Sequence, residues 1–138
     1  MKAYQNILVA IDGSEADDAL IEQVSALAAP LGSRVHLLHV VHSHTIDQER
    51  ALREQAGEFL ERYRAAMQQQ GIEAEVLIRS GEPDREILKE IEERRYDLLA
   101  MAAHGHSLFG RLLFGSVSRA LRNKIDIPLL LVRGESRA

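Results

Sequence analysis

Apolar residues fall along this chain in short unbroken blocks, and between the blocks they recur at spacings of three and four. The blocks Asn6–Ile11 (NILVAI), Arg34–Val41 (RVHLLHVV), Glu73–Arg79 (EAEVLIR), Asp97–Ala102 (DLLAMA) and Ile127–Arg133 (IPLLLVR) predict strands, because a run of four to eight apolar residues without alternation suits a strand covered on both faces. A first helix is expected after Ser14 as N-cap, with Ala16, Leu20, Val24, Leu27 and Leu31 on one stripe and Pro30 and Gly32 ending it. A second runs from about Asp47 to Gln70, carries Leu52, Phe59, Leu60, Tyr63 and Met67, and stops at Gly71. Pro83 suits the first turn of a third, with Ile87, Leu88 and Ile91, and Ser116 to Lys124 makes a short fourth. Pro128 places the last strand near its own start or at a sheet edge.

Five strands alternating with four helices predict an open parallel sheet with helices on both faces. Ligands of such sheets lie beyond the carboxyl ends of the strands, where the strand order reverses. An order of 3-2-1-4-5 would bring Asp12-Gly13-Ser14, after the first strand, beside the long loop after the fourth. An order of 2-1-3-4-5 would separate them, and right-handed crossovers permit both.

At 138 residues, with 46% hydrophobic and 28% charged, the chain fits one domain spanning 1–138. The apolar run before Asp12 is too short for a signal-peptide core and no run reaches membrane-spanning length, so a cytoplasmic protein without a membrane partner is expected. With no cysteine there is no thiolate nucleophile and no disulfide. A net charge of −4 argues against a nucleic-acid partner.

The segment Met101–Val117 (MAAHGHSLFGRLLFGSV) carries the densest chemistry. Gly105 follows an apolar run, and Gly115-Ser116 opens the fourth helix. Glycine lets main chain approach a phosphate, a helix N-terminus offers unpaired N–H donors, and Ser116 can cap the helix or donate to a phosphate oxygen. Other phosphate loops are excluded: Gly105 to Gly110 has Walker spacing, but Arg111-Leu112 stands where Lys and Ser/Thr are required, and no G-x-G-x-x-G occurs. The six histidines form two groups, His36, His39, His42 and His44, and His104 with His106. Pairs such as His42-x-His44 and His104-x-His106 suit Zn²⁺ or Ni²⁺, yet histidines satisfied by main chain are commoner, and no metal site is expected. Ser116, His104 and Asp12 lack a nucleophile elbow, so no catalytic residue is assigned and an enzyme is not expected. Leu108, Phe109, Leu112, Leu113 and Phe114 make the loop apolar enough for a lid or a protein contact.

The opening ILVAIDGSE, the LLHVV of the second strand, SGEP before the third helix and the closing GSVSRAL resemble the universal stress protein family over the whole chain. The last three fixed positions of its G-x2-G-x9-G-[ST] signature fall on Gly105, Gly115 and Ser116. The resemblance implies the 3-2-1-4-5 order, as in the adenine nucleotide alpha hydrolase-like folds, and a stress role exerted through adenine nucleotide binding or contact with a regulatory protein. It also implies a homodimer through Leu129 to Val132, an apolar strand otherwise open at the sheet edge. The implied cofactor is ATP, or AMP or ADP, with Mg²⁺ accompanying ATP. Asp12 and the main chain of Ala10 and Ile11 would face adenosine, Val40 the adenine, and Met101, Ala102, His104, Gly105, His106, Gly115, Ser116 and Val117 the ribose and phosphates. The signature's first glycine is Ala102 here, and Leu108 stands where many binding members have glycine. A methyl at Ala102 is expected to crowd the ligand, with a penalty of about 1 kcal/mol if the position needs positive φ, so that Ala102→Gly would tighten ATP binding. A nucleotide-independent dimeric scaffold is the alternative.

Overall fold

The computed structural model describes residues 3–103 and 117–133. The elements follow as β1 (Asn6–Ala10), α1 (Ala16–Leu31), β2 (Arg34–Val41), α2 (Ile46–Gln69), β3 (Glu73–Ser80), α3 (Pro83–Glu93), β4 (Leu98–Ala103) and β5 (Leu129–Arg133), with residues 117–121 also helical. All the strands are parallel, in the order β3-β2-β1-β4-β5. The order that the residue pattern left open is therefore the one that sets the ends of β1 and β4 side by side, with Ala10 in register with Met101.

The unbroken apolar strands are explained by two cores. Ile7, Val9, Val35, Leu37, Leu98 and Ala100 point to one face, where they pack with Leu20, Val24 and Ala28 of α1 and Ala56, Leu60 and Met67 of α2. Leu8, Ala10, Leu38, Leu99 and Met101 point to the other, against Ile87 of α3 and Val117 and Leu121. Strand side chains alternate between faces, so both alternating sets must be apolar.

Local chemistry shifts the element ends by a residue or two. Helix α1 begins at Ala16, and Ser14 acts one step early: its Oγ accepts the Ala16 N–H at 3.3 Å. Pro30 lies inside the last turn of α1 and does not stop it; near a helix end its missing N–H costs a single bond, and the left-handed turn falls to Gly32 at φ 67°. Helix α2 has a cap that hydrophobic spacing does not show, Thr45 Oγ1 accepting the Gln48 N–H at 3.1 Å while Gln48 Oε1 accepts from the His44 N–H at 3.0 Å. Pro128 lies just before β5, which is an edge strand. Ser116, expected to open the fourth helix, lies outside the described residues.

Candidate functional site

The chain passes from β1 outward to β2 and β3, then crosses back to place β4 on the other side of β1. The strand order reverses at β1, and a crevice opens at the carboxyl end of the sheet. It is lined by Ala10, Ile11 and Asp12 from the end of β1, Leu38, His39 and Val40 from β2, and Pro83 and Ile87 from the start of α3. Its cavity volume is about 10 Å³, at the floor of a concavity of about 250 Å³ that is partly open solvent. Its wall is apolar except for Asp12, His39 and the main chain.

The β1–α1 loop, residues 11–15, is held in place by side chains from two elements. Asp17, fully buried on α1, accepts the N–H of Asp12 through Oδ1 at 3.3 Å and that of Gly13 through Oδ2 at 2.7 Å. Asp12 closes a tight turn by accepting the Ser14 N–H at 2.8 Å. Gly13 sits at φ 89°, and a Cβ there would meet the Phe59 ring at 3.2 Å, so both conformation and space call for glycine. From β2, His39 Nδ1–H donates to the Ile11 carbonyl at 2.6 Å, with its ring edge-on to Phe59 at 5.1 Å. Burial holds the His39 pKa below its ordinary value, and the Ile11 carbonyl, which can only accept, puts a proton on Nδ1. Burial, with the neighbouring Asp12 charge, pushes the Asp17 carboxyl up to about 7.

Four expected ligand-facing residues, Ala10, Ile11, Asp12 and Val40, thus line one crevice. Met101 is fully buried in the core on the α3 side, in register with Ala10, and Val117 is buried in the same core. Ala102 is different. Its methyl points to the opposite face, into the core with α1 and α2, and the residue pairs with Val132 in a regular strand. Tyr4 alone among the described non-glycine residues has positive φ. The expected crowding by Ala102 and its conformational penalty are therefore corrected, and with them the tightening expected of Ala102→Gly. His104, Gly105, His106, Leu108, Gly115 and Ser116 lie outside the described residues.

The sequence reading missed Leu38, Pro83 and Ile87 as crevice residues and Asp17 as the anchor of the loop. Ile87 and Leu38 read simply as helix and strand core positions, and the one signal for Asp17 in the sequence is its place in the first helical turn after a glycine. Of the described histidines, only His39 lines the crevice. His36 lies toward the other end of β2, with Nε2 3.3 Å from Asn6 Oδ1 and Nδ1 3.1 Å from Glu75. His42 and His44 follow the strand, rings 5.5 Å apart, and among the described residues no group of three or more His, Asp or Glu side chains could hold a metal ion.

A sequence model described as the universal stress protein family matches residues 3–133. The chain belongs to the universal stress protein family. This universal stress protein is similar to Universal stress protein YxiE of Bacillus subtilis, 27% identical over 147 residues that cover 94% of this chain and 99% of the relative. The solved structure of MJ0577 from Methanocaldococcus jannaschii superposes with a TM-score of 0.80 at 27% identity, covering 97% of this chain and 99% of that one. A family protein of Arabidopsis thaliana solved with AMP bound shares the fold, with a TM-score of 0.73 at 19% identity over 96% of this chain and 93% of that one. No described helix of this universal stress protein is long and apolar enough to cross a membrane.

Proposed function

We propose that this universal stress protein binds an adenine nucleotide in the crevice at the ends of β1 and β2 and acts as a regulatory switch of the stress response in the cytoplasm. The observation that carries the reading is the convergence of Ala10, Ile11, Asp12 and Val40 on one apolar slot at the carboxyl ends of β1 and β2, on the β2 side of the strand where the order reverses. Ala10, Leu38, Val40 and Ile87 offer apolar walls for a flat base, and the Asp12 carboxylate is an acceptor for ribose hydroxyls. Family membership and the AMP-bound Arabidopsis relative support the ligand class. The family resemblance assigns the phosphates to Gly105, His106, Gly115 and Ser116, which lie outside the described residues, with Mg²⁺ accompanying ATP. The protein binds and releases; no residue is given a catalytic role.

A second copy would pair along β5, where Leu131 is 44% exposed on the open edge of the sheet. Calorimetric titration with AMP, and with ATP with and without Mg²⁺, tests the nucleotide reading. Saturable one-site binding is expected, with Asp12→Asn weakening it about tenfold through loss of charged acceptors. An empty protein at millimolar AMP and ATP would overturn it in favour of a nucleotide-independent scaffold.

A further inference from the structure

The crevice wall is tethered by an ionisable group that a ligand-binding role does not by itself require. Asp17 is fully buried, and its two oxygens face two consecutive main-chain donors, the N–H groups of Asp12 and Gly13. Among the described residues, the charged and titratable groups around it are Asp12 on the loop, Glu15 and Asp18 on α1, Arg62 and Tyr63 on α2, and His39 below the loop on β2. Tyr63 Oη–H donates to Asp18 at 2.7 Å, so this phenol does not satisfy Asp17.

We propose that Asp17 is a proton-operated latch on the β1–α1 loop: ionised, it grips the amides of Asp12 and Gly13 and so fixes the crevice wall; protonated, it lets one of them go. A carboxylate oxygen that takes up a proton from solvent becomes a weak acceptor, and both Asp17 oxygens are already opposed by N–H donors. Burial and the Asp12 charge set this exchange near neutral pH. Release frees the turn that carries Asp12, the charged lining residue, so ligand affinity falls as the solution acidifies. This last consequence rests on the nucleotide reading above; the latch itself does not.

Nuclear magnetic resonance of the intact chain from pH 5.5 to 8.5 tests the latch without any ligand. The Asp17 side-chain carboxyl and the Asp12 and Gly13 amides are expected to titrate together with a midpoint near 7, and Asp17→Asn is expected to abolish the amide transition. Flat amide shifts in the wild type, or a transition that survives in Asp17→Asn, would overturn the proposal. The wild-type arm stands even if the variant folds poorly. Adenosine then serves as the binding probe, because it lacks the phosphate that itself titrates near pH 6. Its affinity is expected to fall about tenfold from pH 8 to pH 6 in the wild type and to be level in Asp17→Asn. Amides that titrate beside a pH-independent adenosine affinity would overturn control of the site by the latch. Adenosine that fails to bind at any pH would sink the nucleotide reading, while the amide titration still decides the latch.

Discussion

Gly13 shows how one residue serves the site and the fold together. Its left-handed backbone turns the chain out of β1, and the missing side chain lets the Phe59 ring close over the loop. Gly13→Ala is expected to cost about 1–3 kcal/mol, from strained φ and a 3.2 Å contact with the ring, measured by urea denaturation. Asp17 has an effect of opposite sign. Its folded pKa of about 7 lies above the ordinary 3.8, so between those values the native state binds a proton that the unfolded chain lacks, and stability falls as pH rises through the window. His39 works against this. Its lowered pKa means that the unfolded chain gains the proton first as pH drops below the usual histidine range, so its contribution is lost on acidification. The readout is therefore the difference between Asp17→Asn and wild type: the variant is expected to gain relative stability as pH rises from 5 to 8, by at most about 3 kcal/mol, measured by denaturation at each pH.

At the scale of elements, α3 is fastened to β3 by charge as well as by Ile87. Arg79 on β3 donates to Glu86 at 2.9 Å, to Glu90 at 2.7 Å and to Glu93 at 3.3 Å, and Tyr96 Oη–H also donates to Glu90 at 2.6 Å. Glu90 is buried, so its charge needs these donors. Arg79→Met is expected to destabilise the protein by about 2–4 kcal/mol, mostly by leaving Glu90 short of partners, checked by thermal and urea unfolding. The Arg79 guanidinium also holds the Glu86 carboxyl below the usual range. The stability from that pair is present above the ordinary glutamate pKa and is lost as pH falls through the folded value, and this loss is expected to shrink in Arg79→Met to the part that Lys89, also bonded to Glu86, supplies. Because Pro83 and Ile87 of the same helix line the crevice, the network also sets the position of one of its walls. On the far side, the exposed Leu131 of β5 gives the dimer its test: Leu131→Lys is expected to leave the fold intact and yield a monomer by light scattering, and an unchanged mass would remove this edge from the assembly.

For the molecule as a whole, strand and helix identities were legible because burial on both faces of a parallel sheet demands unbroken apolar runs, whereas surface helices carry one stripe. The strand order was not legible from the pattern, since handedness permits two orders and nothing local to β1 says which strand becomes its second neighbour. The resemblance of the ILVAIDGSE and SGEP segments to a known family supplied it. The site was half legible. Ala10, Ile11, Asp12 and Val40 line one crevice, but the direction of a side chain on a strand depends on register, and the residue pattern does not show that the Ala102 methyl packs into the core with α1 and α2. Asp17 was invisible for a related reason: a carboxylate in the first turn of a helix looks solvated until the helix is packed beneath a loop.

The two main-chain bonds to Asp17 have a calorimetric consequence. Linkage is reciprocal, so a crevice that prefers the ionised carboxylate must expel a proton when it fills in mildly acidic solution. The heat of filling would then include the heat of protonating the buffer, and titrations in phosphate and in Tris at the same pH would differ by an amount that shrinks to nothing well above neutrality.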